Sequence, residues 1–275
     1  MTVPSDAALI EEMTTIVSRA AAAILAARAS ALNTRTKADQ SPVTAADDAS
    51  EAIILEGMTR LLPGVPIISE EASARAAVGA IGDEFILVDP VDGTRELVAG
   101  RDEFTINLGL VRHGRAALGI VMAPAAGLAW RTAAGGGAER FRLAAGATAG
   151  TAREITAIRT RPMPKSGVVA AVSRSHFDAV TGAFLGKLAT RFGEVTRLES
   201  GSAIKLCRVA EGAADVYPRL APTHQWDVAA GDAILAAAGG IVTTAAGLPL
   251  SYRPADGLRV SGFIAWGDPS AAIAG

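Results

Sequence analysis

Four acidic residues stand at the ends of predicted strands and helices. Glu70 follows a short apolar strand, Asp89 closes the next strand, and Asp92 comes three residues later. Asp227 opens a late helix. Side chains at the carboxyl ends of strands collect at one edge of a sheet, where ligands tend to bind. We therefore expect these four carboxylates to converge on one site.

The segment Asp-Pro-Val-Asp-Gly-Thr at 89–94 has the character of a site-forming turn. Pro90 stiffens the turn and removes an amide donor, so both aspartates can point into one site with the Val91 carbonyl between them. Gly93 permits a tight backbone conformation. Thr94 begins a short predicted helix, whose free amide groups can hold an anion.

This donor set indicates a site for hard divalent cations. Carboxylates and a backbone carbonyl, with no His or Cys nearby, select Mg²⁺ or Mn²⁺ over Zn²⁺. Carboxylates in one pocket repel each other unless cations neutralise them. Two metal ions about 3.5–4 Å apart that share Asp89 would suit an in-line displacement at phosphorus. Taken alone, the 89–94 segment is more often a plain turn than a catalytic site. Asp227 also fits a helix N-cap, a role that is compatible with metal binding.

Longer motifs with matching order and spacing identify a family. The chain resembles the inositol monophosphatase superfamily from about residue 37 to residue 252, which is most of its length. The resemblance rests on the 89–94 segment, on Glu70-Glu71 upstream of it, on Ser41 to Asp47, and on Trp226-Asp227 followed after eleven residues by Gly239-Gly240. It implies a layered α/β fold, an αβαβα sandwich of the sugar-phosphatase type.

Further segments are similar to the 3′(2′),5′-bisphosphate nucleotidase branch of that superfamily: 93–97, 103–107, 173–176, 201–207 and 217–223. Arg95 and Leu97 depart from the usual Lys and Phe of that branch. The similarity implies hydrolysis of the 3′-phosphate of adenosine 3′,5′-bisphosphate, with 3′-phosphoadenylyl sulfate as a second substrate and a link to sulfate assimilation. Two alternatives stay open: a phosphatase for inositol 1-phosphate or fructose 1,6-bisphosphate, and a non-catalytic sensor of phosphonucleotides or metals.

The resemblance also implies residue roles. The metal ligands would be Glu70, Asp89, the Val91 carbonyl, Asp92 and Asp227, binding Mg²⁺ with Mn²⁺ as a substitute. Thr94 and Glu70 would orient the attacking water, and Asp47 would support Thr94. Glu71 is expected to be a solvated neighbour of Glu70, although the ligand assignment could be exchanged between the two.

A cationic rim is our hypothesis for the second phosphate of the substrate, because Arg can hold phosphate through two hydrogen bonds. The rim residues are Arg95, Arg174, His176, Lys205 and Arg219. Gly93, Thr94, Gly201, Ser202 and Asp227 complete the expected substrate contacts. Each rim residue also fits an ordinary surface charge, and His224 has no partner that the sequence identifies.

The elements that must position these residues mix helices and strands. Capping residues and apolar stripes predict helices at 5–30, 47–62, 94–98, 176–191, 202–211 and 227–238. Short apolar runs predict strands at 66–69, 85–88, 167–173, 194–198, 215–217 and 241–243, a hairpin over 105–122, and Pro218 as the end of its strand. The Ala- and Gly-rich stretch 133–151 fits either a hairpin or a joint between subdomains.

This mixture predicts an α/β or α+β layered fold. We expect two subdomains within one unit. The first, 1–145, would carry most metal ligands, and the second, 146–275, would carry Asp227 and the substrate contacts.

Composition excludes several classes of protein. The 275 residues carry 26 Lys and Arg against 28 Asp and Glu, which argues against a nucleic-acid polymer as partner. Cys207 is the single cysteine, so no internal disulfide forms. The longest apolar stretch, 119–130, is too short to cross a bilayer, and the acidic N-terminal region does not fit a secretory signal. We expect a cytoplasmic enzyme with a small nucleotide substrate, and a homodimer is compatible with this interpretation.

Overall fold

The computed structural model describes residues 4–30, 32–37, 42–73, 81–174, 177–253 and 257–273. The helices within these residues are α1 (Asp6–Ala29), α2 (Ala45–Leu61), α3 (Glu70–Ser73), α4 (Thr94–Val98), α5 (Ala179–Phe192), α6 (Ile204–Ala210) and α7 (Gln225–Ala237). The strands are β1 (Arg35–Thr36), β2 (Pro42–Val43), β3 (Ile67–Ser69), β4 (Glu84–Asp92), β5 (Thr105–Arg112), β6 (Arg115–Ala123), β7 (Leu128–Thr132), β8 (Ala138–Arg142), β9 (Arg153–Ile158), β10 (Val168–Ser173), β11 (Val195–Ser200), β12 (Val216–Arg219), β13 (Thr223–His224), β14 (Ile241–Thr244), β15 (Arg259–Val260) and β16 (Phe263–Trp266).

A seven-stranded sheet includes strand β4, which carries Asp89 and Asp92. Its order follows the chain from β3 to β9; β3 lies parallel to β4, and the later neighbours are antiparallel. Side chains of β4 alternate between the two faces, as the period of a strand requires. Ile86 and Val88 join the core formed with α1 and α2, whereas Phe85 and Leu87 join the core formed with α6 and α7.

The second large sheet has five strands in the order β11-β10-β12-β16-β14. Its strand β10 alternates in the same way, with Val168, Ala170 and Val172 packed against α5. Ala171 faces the core that contains α6 and α7. The layers are therefore α1 and α2, the first sheet, α6 and α7, the second sheet, and α5. This arrangement confirms the expected layered α/β fold.

Helix α7 approaches the first sheet closely because two glycines face it. Gly109 of β5 and Gly119 of β6 are register partners. A Cβ on Gly119 would lie 2.3 Å from the Ala230 carbonyl oxygen, and a Cβ on Gly109 would lie 3.0 Å from the Ala230 nitrogen. The missing side chains let the α7 backbone rest on the sheet and set the position of Asp227 at its N-terminal end.

Strand β12 and the stretch 133–151 differ from, or decide between, the sequence-based expectations. Pro218 does not end its strand, since β12 continues to Arg219 in antiparallel register with β16. The proline is tolerated because the pairing of β12 with β10 includes only Ala170 and Val216. The stretch 133–151 contains strand β8, so it belongs to a hairpin of the first sheet.

The division into subdomains near residue 145 stays a prediction. The first sheet extends to Ile158 and the second begins at Val168. Among the described helices, none is both long and apolar enough to cross a bilayer.

Candidate active site

One cavity of about 280 Å³ lies where the two sheets and α7 meet. It collects most of the residues singled out from the sequence. The predicted site residues that line it are Glu70, Asp89, Val91, Asp92, Gly93, Thr94, Arg95, Gly201, Ser202, Lys205, Arg219 and Asp227. Residues distant in the chain are thus brought to one surface, as the strand-end argument predicts.

Five of the six residues of the 89–94 segment line this cavity. Strand β4 runs to Asp92 with an irregularity in its pairing with β5 between Asp89 and Asp92. The Val91 N–H donates to Oδ1 of Asp89 at 3.0 Å. Gly93 has a φ of 95°, and a Cβ there would lie 3.1 Å from the Glu103 carbonyl oxygen. Glycine is required here because an L side chain is strained in the left-handed region and the turn has little spare space.

Burial and mutual repulsion shape the charges of the carboxylates. Burial and then the nearby Glu70, Asp92 and Asp227 hold the pKa of Asp89 well above its usual range. Burial and then Asp227 raise the pKa of Asp92 to about 6. Burial raises the pKa of Glu70 to about 7, although Lys37 opposes that rise. Such a concentration of buried acidic oxygens, with few cations facing it, fits the binding of divalent metal ions.

In the part of the chain that the structure describes, no three Asp, Glu, His or Cys side chains are arranged as a ready-made metal cage. The carboxylates instead bond to protein groups. Glu70 accepts from the Lys37 ammonium at 2.7 Å. Oδ2 of Asp227 accepts from the Thr223 hydroxyl and, at 2.9 Å, from the His224 N–H. The donor set, carboxylate oxygens with the Val91 carbonyl, suits a hard divalent cation.

Lys37 is a site residue that the sequence reasoning missed. Its ammonium bridges Glu70 at 2.7 Å and Glu71 at 2.5 Å. Glu71 was expected to be solvated, but it is only 3% exposed. Burial of Glu71 follows from the first turn of α3, which directs it away from the cavity that Glu70 lines. No sequence signal marks Lys37, which precedes a polar loop and pairs across 33 residues.

Thr94 and Asp47 lie in direct contact, as the resemblance implied. The Thr94 hydroxyl is 3.0 Å from Oδ1 of Asp47 and 3.0 Å from the Val91 carbonyl oxygen, so it can donate to either. Oδ2 of Asp47 accepts from both the backbone N–H and the hydroxyl of Thr44, at 2.8 and 2.7 Å. Asp47 is 1% exposed, and burial raises its pKa.

Lys205 and Arg219 also line the cavity, and we call this part of its lining the cationic end. Lys205 is 3% exposed, donates to the Ser202 carbonyl oxygen at 2.5 Å and lies 5.3 Å from the centre of the Tyr217 ring. Burial lowers its pKa to about 8, against an attraction from Asp92. Within the described residues, Oγ of Ser202 and Nε of Arg219 are buried without a hydrogen-bond partner. Buried donors of this kind are costly unless a ligand satisfies them.

Of the remaining residues of the predicted cationic rim, Arg95 lines the cavity and Arg174 does not. Arg174 instead donates to Glu103 at 2.7 Å and lies 3.9 Å from Glu199. His176 lies outside the described residues. His224, for which the sequence identified no partner, stacks on Trp226 with ring centres 4.6 Å apart and an interplanar angle of 12°.

The sequence matches the family model of the inositol monophosphatase family over residues 7–268. The chain therefore belongs to the inositol monophosphatase family. It is 39% identical over 228 residues to the 3′(2′),5′-bisphosphate nucleotidase CysQ of Escherichia coli K12, covering 83% of this chain and 86% of that protein.

Solved structures give the same result. The chain is similar to the crystal structure of CysQ from Bacteroides thetaiotaomicron, with a TM-score of 0.78, 31% identity, and 95% and 97% of the two chains covered. The inositol monophosphatase of Anabaena has a TM-score of 0.70 and 26% identity, covering 95% of this chain and 91% of its own.

Proposed function

We propose that this protein is a Mg²⁺-dependent phosphatase that removes the 3′-phosphate of adenosine 3′,5′-bisphosphate, with 3′-phosphoadenylyl sulfate as a second substrate. The observation that carries the proposal is that one cavity is lined both by carboxylates, its acidic end, and by Lys205 and Arg219, its cationic end. A substrate with two phosphates fits such a cavity, because one phosphate needs metal-assisted hydrolysis and the other needs only to be held. The names of the related CysQ nucleotidases support the same substrate.

Metal ions would be held by Glu70, Asp89, the Val91 carbonyl, Asp92 and Asp227, all of which line the cavity. Mg²⁺ suits these oxygen donors, and Mn²⁺ is the expected substitute. When bound, the ions neutralise charge on the transferred phosphoryl group and supply a water molecule acidic enough to attack near neutral pH. Phosphoryl transfer depends chiefly on positioning and charge neutralisation, which suits a site without a protein nucleophile.

Thr94 would position that water with Glu70. The Thr94 hydroxyl hydrogen points to Asp47 or to the Val91 carbonyl, both 3.0 Å away, so the lone pairs of its oxygen remain available to accept a hydrogen bond from water. Asp47 cannot rotate freely, because its other oxygen is held twice by Thr44. The Asp47–Thr94 pair therefore presents an acceptor in a fixed direction.

The second phosphate would lie against Lys205, Arg219 and Ser202. The buried Ser202 hydroxyl and the Arg219 Nε would gain the acceptor that the protein itself does not give them. Lys205 contributes a positive charge whose pKa near 8 keeps it mostly protonated at neutral pH. Arg95 lies at the cavity, whereas Arg174 would contribute only after leaving Glu103.

A phosphate-release assay tests the proposal. Adenosine 3′,5′-bisphosphate, inositol 1-phosphate and fructose 1,6-bisphosphate are compared in Mg²⁺, and we expect the highest kcat/KM for the nucleotide. Adenosine 3′-phosphate isolates the contribution of the 5′-phosphate, which Lys205→Met should diminish. A preference for inositol 1-phosphate or fructose 1,6-bisphosphate would refute the nucleotide assignment, and the absence of turnover on every compound would favour a sensor.

A further inference from the structure

The buried stripe of α2 changes from polar to apolar along the helix. Asp47, Ser50 and Glu51 follow at helical spacing and are 1%, 0% and 4% exposed, and the same stripe continues as the apolar Ile54 and Met58 in the core. We refer to Asp47, Ser50 and Glu51 as the polar face of α2. Buried polar side chains are costly unless they are hydrogen-bonded, so each needs a structural reason.

Each member of the polar face bonds to a different segment of the site. Asp47 accepts from Thr94, as described above. Ser50 donates to the Pro90 carbonyl oxygen at 2.9 Å. Glu51 accepts from the Ser69 hydroxyl and, at 3.0 Å, from the Ala72 N–H.

Ser50 acts on Asp89 through one peptide plane. The Pro90 carbonyl and the Val91 N–H belong to the same rigid peptide unit. Ser50 holds the oxygen of this unit, and its N–H donates to Oδ1 of Asp89 at 3.0 Å. Fixing the plane therefore fixes the donor that holds one oxygen of Asp89.

Glu51 holds the backbone on both sides of Glu70. Ser69 precedes Glu70 and Ala72 follows it by two residues, and both bond to the same carboxylate oxygen. Glu51 thus supplies the hydrogen bond that an N-cap side chain would give to the third residue of α3. The backbone of Glu70 is held on both sides by a residue of α2.

We propose that Ser50 and Glu51 are positioning residues that place the metal-binding side chains Asp89 and Glu70, and that α2 is the element that holds these separate segments in register. The inference rests on the proposed function, because it assumes that these side chains bind metal. Residues that orient metal ligands from behind typically change metal affinity by about 10- to 100-fold when altered.

Mn²⁺ binding to metal-free protein, followed by calorimetry or by the electron paramagnetic resonance of free Mn²⁺, tests the inference without relying on turnover. Ser50→Ala should raise the Kd for Mn²⁺ about tenfold. Ser18→Ala is the matched control. Ser18 lies in α1, does not line the cavity, is also 0% exposed, and donates to the Ala144 carbonyl oxygen at 3.0 Å. This variant should lose similar stability and leave the Kd unchanged.

Glu51 offers a second comparison. Glu51→Gln keeps an acceptor oxygen and should retain Mn²⁺ affinity, whereas Glu51→Leu removes it and should weaken binding about tenfold. If Glu51→Leu does not fold, the two serine variants decide the question. Equal Mn²⁺ affinity in wild type, Ser50→Ala and Ser18→Ala would overturn the positioning role alone. Failure of the wild type to bind Mn²⁺ would overturn the proposed function, and this inference with it.

Discussion

Replacing Lys205 by Met should stabilise the metal-free protein and weaken substrate binding at the same time. Burial lowers the Lys205 pKa from 10.5 to about 8, so its charged form is less favourable in the folded protein than in the unfolded chain. Each pKa unit corresponds to about 1.4 kcal/mol, which makes the penalty about 3 kcal/mol at pH 7. Loss of the Ser202 hydrogen bond and the Tyr217 ring contact subtracts about 1–2 kcal/mol. A net stabilisation of about 1–2 kcal/mol remains.

The pH dependence identifies the cause. The folded pKa of Lys205 lies below the unfolded one, so between about 8 and 10.5 the unfolded chain binds more protons. Stability of the wild type relative to Lys205→Met therefore rises with pH through that window, and the penalty is fully present below pH 8. Urea unfolding of both proteins at pH 7 and pH 10, in a chelator, measures the difference.

The functional half of the same prediction concerns KM. Lys205→Met should raise KM for adenosine 3′,5′-bisphosphate more than for adenosine 3′-phosphate, because only the former places a phosphate at the cationic end. The wild-type advantage should also fade above pH 8 as Lys205 loses its proton. A variant that is less stable than wild type at pH 7, or one with unchanged KM for the bisphosphate, would refute the reasoning.

Four other outcomes are expected. Asp92→Asn should abolish Mg²⁺-dependent hydrolysis with an unchanged circular dichroism spectrum; near-normal turnover would contradict the metal assignment. Gly119→Ala should destabilise by about 3 kcal/mol in urea, since its Cβ would meet the Ala230 carbonyl at 2.3 Å, whereas Gly135→Ala, with no atom within 4 Å, should be neutral. Mg²⁺ should raise Tm more at pH 8 than at pH 5, because the raised pKa of Glu70, about 7, leaves this carboxyl protonated and unable to bind the metal at the lower pH. The resemblance to the inositol monophosphatase superfamily implies that millimolar Li⁺ inhibits hydrolysis, and a phosphate-release rate that Li⁺ does not change would count against the proposed mechanism.

The parts of the fold that the sequence predicts are those with local signals. Helix α7 begins at Gln225, two residues before the predicted start at Asp227. The local signal is the Asp227 carboxylate, which accepts a hydrogen bond from the N–H of His224, the residue just before the helix. Gly93 is likewise a local signal, because the turn at this position needs a positive φ, which glycine adopts without strain. The positions of Asp89 at a strand end and Asp227 at a helix start predict that the two lie together at one edge of a sheet, and both line the cavity.

Other features depend on contacts between distant residues and leave no local pattern. The continuation of β12 through Pro218 depends on how few residues it pairs with β10. The bridging of Glu70 and Glu71 by Lys37 spans more than 30 residues. Arg174 resembles a rim residue by type and position, yet its ion pair with Glu103 is a property of the folded chain.

The two ends of the cavity are not independent, because Asp92 belongs to both. Its carboxylate bonds to the Asn107 amide at 3.4 Å and to the Ala203 N–H, and it attracts the Lys205 ammonium. Burial raises the pKa of Asp89 and lowers the pKa of Lys205, so the charged forms of both groups are less favourable in the folded protein than in water. Metal ions would relieve one end and a phosphate the other. The chain thus stores unfavourable electrostatic energy at its site, and binding of the complete substrate complex would release it, which is why a stabilising change such as Lys205→Met is expected to impair function.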